Sequence, residues 1–348
     1  NPQSLIATKA NRIVRAAQGR AVMEFGSRRA QGPDGAIYGA RAAFIGGCCG
    51  TACTICDRDF AIPALGTMAH SWVQLFDSEL DAFRAYAEQY PSSCTLLVDT
   101  YNTLKSGVPN AIRAYKEVLE PRGIRNFAVR LDSGDIAYLS KKMRKMLDDA
   151  GYPDCQIVAS NSLDEYLIRD LILQGAKVDT FGVGENLITS KSDPVFGGVY
   201  KLVAVKENGV FQPRIKISET VEKITTPNLK KVYRLFKKDS GKAVADYVSL
   251  FEENIPAEGP ITLFDPLETW KSKTFEDVEL RPMMEHIFQN GVCVYQLPSL
   301  KEIRNYCAEQ IDTLWDEVKR FENPHRYYVD LSEQCWNSKH MLLSQKQF

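Results

Sequence analysis

Short apolar or β-branched runs alternate with polar, glycine-bearing clusters through the first two thirds of the chain. The runs are Ala21 to Phe25, Ile62 to Leu65, Thr95 to Asp99, Phe127 to Leu131, Gln156 to Ser160, Thr180 to Gly184 and Tyr200 to Val205. Most are followed by a loop of the type GSRRAQGPDG, GTMAH, TYNT, DSGD, NSLDE or ENLITS, and then by a helix-like stretch. Strands of four to six residues separated by helical segments predict parallel sheet, and the repetition predicts a TIM-like (β/α) barrel with its chemistry in the loops at the strand C-termini. The opening residues 1–20 read as an amphipathic helix leading into a barrel over 21–205. Beyond it, NGVFQPRIKIS, KKVYRLFKKDSGKAVADYVSL and GPITLFDP read as strands joined by tight turns, predicting a smaller α/β, mixed or antiparallel, domain with a C-terminal helical region over 206–348. A last long helix is expected from about Leu300 to Glu322, stopped by Asn323-Pro324.

At 348 residues the chain is long enough for a large domain with a sizeable core plus a smaller one. Lys and Arg total 43 against 44 Asp and Glu, so the net charge of -1 argues against nucleic acid or an anionic membrane surface as partner. Any basic site must be local. Nine cysteines, an odd number in a chain that needs no disulfides for stability, predict reduced thiols and a cytoplasmic setting. No apolar run approaches the roughly 18 residues of a membrane span, and the start lacks a signal-peptide apolar region.

The loop after the first strand, Glu24 to Gly35, sets Phe25 beside the tandem Arg28 and Arg29. Guanidinium forks match phosphate or carboxylate, although surface Arg and a core Phe would also read this way. His70, in GTMAHSW, is the single imidazole of the expected (β/α) barrel portion, at a position suited to a nucleophile or proton shuttle. Asp99, Asp132 and Asp135 stand at strand ends, where they can hold sugar hydroxyls or a Mg²⁺ bound to substrate phosphate, or cap the helices that follow. Ser162 to Glu165 reads as a capping box, and it joins Ser160, Asn161, Gly182 and Gly184 in loops where barrels often hold a phosphate. Cys48, Cys49, Cys53 and Cys56 contain a C-x-x-C without a well-spaced second pair, which favours buried thiols over zinc.

These residues resemble the nicotinate phosphoribosyltransferases, of the type II phosphoribosyltransferases. The resemblance runs through EFGSRRAQGPDGA, GTMAHSWV, LLVDTYNT, VRLDSGD, ASNSLDE, FGVGENL, GGVYKLVAV and NPHRYYVDLS, in that order and over most of the chain. It implies that nicotinate and 5-phosphoribosyl 1-diphosphate (PRPP) form nicotinate mononucleotide and diphosphate, coupled to ATP hydrolysis with Mg²⁺, in NAD salvage. By the same resemblance His70 is the phosphoacceptor, Phe25 stacks on the pyridine ring, and Arg28 and Arg130 serve ribose phosphate and nicotinate. Asp132 corresponds to the ribose-binding carboxylate, while Ser160 with Asn161 and Gly182 with Gly184 correspond to the 5-phosphate cradle.

Nicotinamide-using relatives share the layout, and the resemblance implies a carboxylate for them in the loop that here reads Gly46 to Thr51. No acid occurs there, which favours nicotinate. The resemblance further implies a homodimer with the site at the subunit interface, and an N-terminal segment ahead of the helix that begins this chain. A nicotinamide-using relative, a catalytically impaired remnant and a different phosphate-binding barrel enzyme are the alternatives. Diphosphate release from PRPP with nicotinate separates the last of these, and PRPP binding without turnover marks the remnant.

Overall fold

The computed structural model describes residues 1–345 and divides into two compact units. The first comprises Asn1–Gly197 with Ser299–Ala308; the second comprises Gly198–Pro298 and the chain from Glu309 on.

In the first unit, strands β1 (Ala21–Glu24), β2 (Gly50–Thr51), β3 (Thr95–Leu97), β4 (Ala128–Leu131), β5 (Gln156–Ala159) and β6 (Thr180–Val183) form one parallel sheet in the order 2-1-6-5-4-3. It curls into a half-barrel with β2 and β3 as its edges. The run at Ile62–Leu65 contributes only a single parallel bridge, Thr51 to Ala64, because Pro63 brings no N–H to a ladder. Tyr200 to Val205 does not join this sheet. Its end becomes β7 (Ala204–Glu207), paired antiparallel with β8 (Val210–Pro213) across Asn208-Gly209, both at positive φ. A two-residue Asn-Gly connection closes a hairpin, whereas a parallel neighbour needs a long crossover.

Helix α1 (Pro2–Ala16) precedes the sheet, helices α2 (Gly32–Ile45), α3 (Ile55–Phe60), α4 (His70–Gln74), α5 (Glu79–Gln89), α6 (Val108–Ala114), α7 (Ile136–Asp149) and α8 (Glu165–Leu173) lie in its crossovers, and α9 (Glu185–Ile188) follows β6. The α1 helix buries Ile6, Lys9, Ala10, Ile13 and Ala16, a stripe at helical spacing that contains one charge. That charge is matched by Glu165, as described below.

The second unit is a closed barrel of β9 (Lys230–Lys237), β10 (Ala243–Leu250), β11 (Glu258–Phe264), β12 (Ser272–Pro282) and β15 (Tyr328–Leu331), with a small hairpin of β13 (Phe288–Gln289) and β14 (Val292–Cys293). Its pairings are antiparallel except β10 with β15. Leu235, Val244, Ala245, Tyr247, Ile261, Leu263, Phe275, Val278 and Leu280 build its core, with the strand alternation broken by bulges at Ala243/Ala245 and Gly259/Ile261. Helix α10 (Leu300–Thr313) opens with a capping box in which Ser299 and Glu302 exchange bonds. It ends at Thr313 rather than running to Glu322, and Trp315 two residues on packs, partly buried, against the barrel core. Helix α11 (Glu333–Gln345) closes the described chain.

Candidate active site

The C-terminal ends of β1, β4, β5 and β6 converge on one cavity. Phe25, Arg28, Arg29, Arg130, Asp132, Ser160, Asn161, Gly182 and Gly184 all line it. Residues as far apart in sequence as Phe25 and Gly184 meet because β1 and β6 are neighbours in register, with Met23 opposite Gly182 and Glu24 opposite Val183.

Glu24 organises the turn after β1. Fully buried, it accepts the Gly26 N–H and the Thr51 hydroxyl, the latter at 2.5 Å. Burial pushes its carboxyl up, and the bonds from Thr51 and Gly26 oppose that. Ser27–Arg29 then form one tight turn that leaves Arg28 exposed, with no ion-pair partner among the described residues. Two glycines make the close packing possible. A Cβ on Gly26 would come within 2.5 Å of Ile188, and one on Gly182 would sit 2.6 Å from the Phe25 ring. Gly182 thus leaves the ring room over β6.

Arg130 projects from β4 over the same ring, its guanidinium carbon 5.6 Å from the Phe25 centroid. Its Nε donates to Ser160 Oγ at 2.9 Å, one Nη to Thr67 Oγ1 at 2.7 Å, and the other lies 3.1 Å from Asp132. A guanidinium has five N–H donors, so these three contacts leave two for a ligand. Ser160 in turn donates to Asp132.

Asp132 connects the cavity to His70. The imidazole Nε2 lies 3.7 Å from Asp132 and 4.0 Å from Asp99, while Nδ1 contacts Thr100 Oγ1 at 3.1 Å. His70 begins α4 and its side chain is 39% exposed, so one ring nitrogen is fixed and the other remains accessible. Asp99, only 2% exposed, spends Oδ2 on the Asp132 N–H and the Ser133 hydroxyl, and its buried Oδ1 has no hydrogen-bond partner. Asp135 is placed differently. It is not among the lining residues, and its carboxylate caps α7 through the Tyr138 N–H at 2.9 Å.

The capping box expected at Ser162 to Glu165 is replaced by a single cap. Asp164 accepts the Tyr166 and Leu167 N–H groups, which places Glu165 at the first helical position, too early to reach back. Glu165 instead turns toward α1 and binds Lys9 at 2.7 Å and Arg12 at 2.8 Å. Burial opposes its charge, yet the Lys9 and Arg12 bonds prevail and hold its carboxyl below the usual range. Asn161 and Ser162 adopt φ of 90° and 51°, and the Asn186 amide ties this loop to the next by donating to the Ser162 and Leu163 carbonyls. Thr67, Thr100, Glu185, Asn186 and Lys191 were not singled out from the sequence. Thr67 and Thr100 lie within the conspicuous loops GTMAHS and TYNT, whereas Lys191 is an isolated basic residue with no sequence signal.

The cysteines supply apolar packing. Cys49 joins Met23, Ala128, Val158 and Leu65 beneath Phe25, while Cys56 is buried, donates to the Ile37 carbonyl, and has its pKa pushed by burial to about 12.

A family model described as "Nicotinate phosphoribosyltransferase (NAPRTase) family" matches residues 20–235, and the model of the corresponding C-terminal domain matches residues 229–339. The chain is 45% identical over 339 residues to a nicotinate phosphoribosyltransferase of Bacillus subtilis, covering 97% of this chain and 69% of that protein. It is 36% identical to one of Dictyostelium discoideum, covering 98% and 66%. The chain therefore spans about two thirds of the length of these curated relatives. The crystal structure of human nicotinic acid phosphoribosyltransferase superposes with a TM-score of 0.83 at 28% identity, covering 98% of this chain and 74% of that one. With matches of this extent to both parts of the molecule, the chain belongs to the nicotinate phosphoribosyltransferase family.

Proposed function

We propose that this chain transfers the 5-phosphoribosyl group of PRPP to nicotinate, forming nicotinate mononucleotide and diphosphate with coupled ATP hydrolysis in NAD salvage. The observation that carries this reading is the single cavity where Phe25, Arg28, Arg130, Asp132 and the two late-strand loops converge, joined to His70 through Asp132. The relatives named for this reaction support it.

Each group has a defined task. The pyridine ring stacks on Phe25, and the two unused N–H groups of Arg130 receive the nicotinate carboxylate, a demand that an uncharged amide meets less well. No carboxylate from the Gly46 to Thr51 loop opposes that anion. Asp132, positioned by Arg130 and Ser160, accepts the ribose hydroxyls, and the loops bearing Ser160, Asn161, Gly182 and Gly184 receive the 5-phosphate. Departure of diphosphate leaves an oxocarbenium-like C1, so holding the ring nitrogen in line and neutralising the leaving group lower the barrier. Arg28 and Arg29 supply cationic charge at the cavity.

Mg²⁺ fits the donor set at one place. The buried Asp99 Oδ1 without a partner and the neighbouring Asp132 are hard oxygen donors, and among the described residues no group of three or more His, Cys, Asp or Glu forms a full cage. An ion there would take its other ligands from diphosphate and water, and would supply charge neutralisation to the leaving group. For ATP coupling, His70 Nε2 attacks the γ-phosphorus, ADP leaves, and water later returns free imidazole and phosphate. The Thr100 contact at Nδ1 supports Nε2 as the acceptor. A homodimer with the site at the subunit interface and a cytoplasmic location complete the proposal. Among the described residues, no helix is long and apolar enough to cross a membrane.

The test is incubation of the full chain with nicotinate, PRPP, Mg²⁺ and γ-labelled ATP. Nicotinate-dependent diphosphate release and an acid-labile phosphate mapping to His70 are expected. Absence of diphosphate release overturns the reaction, and label elsewhere or full ATP stimulation in His70→Ala overturns the phosphoacceptor role.

A further inference from the structure

Glu185 lines the cavity but has no part in the chemistry above. Its carboxylate lies 3.8 Å from Arg29 and 3.6 Å from Lys191. Both distances exceed the roughly 2.7–2.9 Å of a charge-assisted hydrogen bond, and all three side chains are about half exposed, so neither pair is tight. The lining contains four cations, Arg28, Arg29, Arg130 and Lys191, against the carboxylates of Asp132 and Glu185. Arg130 and Asp132 pair at 3.1 Å, so Glu185 is the remaining carboxylate of the lining against Arg28, Arg29 and Lys191, and it lies near the last two.

The placement of Lys191 is imposed by the fold. Ser190 and Ser192 on either side of it both adopt left-handed φ, 47° and 84°, a conformation that serine rarely takes. The Lys191 N–H returns to the Asn186 carbonyl at 3.0 Å, and the Asn186 side chain is anchored on the Ser162 loop. A turn of this kind fixes the Lys191 backbone at the rim of the cavity, within side-chain reach of Glu185. Glu185 then stands between the two cations, one carboxylate oxygen toward each.

We propose that Glu185 is a built-in counter-ion, held loosely by Arg29 and Lys191 and displaced from them by a substrate phosphoryl group. It raises the free-energy cost of placing an anion between Arg29 and Lys191, so that an anion must be anchored elsewhere to be retained. A small free anion gains too little from the exchange to remain, while a phosphate or diphosphate already anchored through its sugar displaces the carboxylate. Glu185 is thus a residue that sets the affinity of this pocket for a phosphoryl group. The inference rests on the reading of this cavity as the PRPP site.

The probe is inorganic diphosphate, titrated calorimetrically at low ionic strength into the full chain and into Glu185→Gln, an isosteric change at an exposed position. The variant is expected to bind roughly threefold to tenfold more tightly, the range for losing two exposed ion pairs with the carboxylate. In an Arg29→Gln/Lys191→Gln background that gain should vanish. Equal or weaker binding by Glu185→Gln overturns the proposal, as does a gain that persists undiminished without the two cations. Diphosphate binding requires no turnover. A chain that releases no diphosphate from PRPP would therefore sink the assigned reaction while leaving the counter-ion result readable.

Discussion

Gly182→Ala probes the link between backbone packing and ring binding at its narrowest point. An added Cβ would stand 2.6 Å from both Cδ2 and Cε2 of Phe25, against about 3.5–4.0 Å for ordinary carbon contact, so the ring must retreat by roughly 1 Å. The nearest other atom, Ser160 Cβ at 3.5 Å, is already at contact distance and offers no relief. Gly182 does not occupy the left-handed region, so the cost is steric and not conformational. Overpacking of this kind costs about 1–3 kcal/mol. Phe25 is only partly buried and has the cavity on one side, which places the stability loss near the lower end, ~1 kcal/mol. Catalysis suffers more, because a 1 Å misplacement of a positioning surface costs on the order of a hundredfold. Initial rates of nicotinate mononucleotide formation, with nicotinate varied at saturating PRPP and ATP, should show kcat/KM for nicotinate falling about 30- to 100-fold, with a much smaller change for PRPP. Phe25→Leu in the same background should restore thermal stability without restoring rate. A folded Gly182→Ala enzyme with kcat/KM for nicotinate within threefold of the parent would refute the reasoning.

Arg130→Lys retains the charge but cannot contact Ser160, Thr67, Asp132 and a carboxylate from one fork. Loss of a charged hydrogen bond worth about 1.5–3 kcal/mol should reduce kcat/KM for nicotinate roughly 10- to 150-fold, and nicotinamide turnover far less, as compared by product chromatography. Glu165→Gln leaves Lys9 buried without its carboxylate and should destabilise the fold by about 3–5 kcal/mol at neutral pH in denaturant titrations. The folded pKa of Glu165 is depressed, so its contribution is fully present above the unfolded value near 4.5 and is lost as pH falls through the folded value. The stability gap between parent and variant should therefore close only below about pH 4.5; a gap independent of pH would remove the ion pair as its cause.

Much of this site is local in sequence and so can be read from it. A β-branched strand end followed by a polar loop places Arg130 and Asp132 on one rim, and the same pattern places Phe25 with Arg28 and Ser160 with Asn161. The loops were legible individually. Their mutual contacts were not, because the spatial order 2-1-6-5-4-3 brings the first strand beside the last, an arrangement that strand periodicity does not encode. The (β/α) rhythm assigned Tyr200 to Val205 to the barrel, yet Asn208-Gly209 just beyond it is a hairpin-forming pair. In the structure the local turn prevailed, and the sheet remained a half-barrel.

The chain by itself determined the alternation of strand and helix, the end of the sheet where chemistry gathers, and the kinds of group found there, since each depends on residues within a few positions of one another. Tertiary structure alone decided which acid does what. Asp99 and Asp135 look alike in sequence, yet one is buried with a free oxygen near His70 and the other caps a helix. Glu165 looks like part of a cap and is the counter-charge of Lys9, more than 150 positions away. Gly182 looks like a phosphate loop and is also the space an aromatic ring needs. A side chain's charge state, partners and free volume come from neighbours contributed by distant segments, and those neighbours exist only once the sheet has curled.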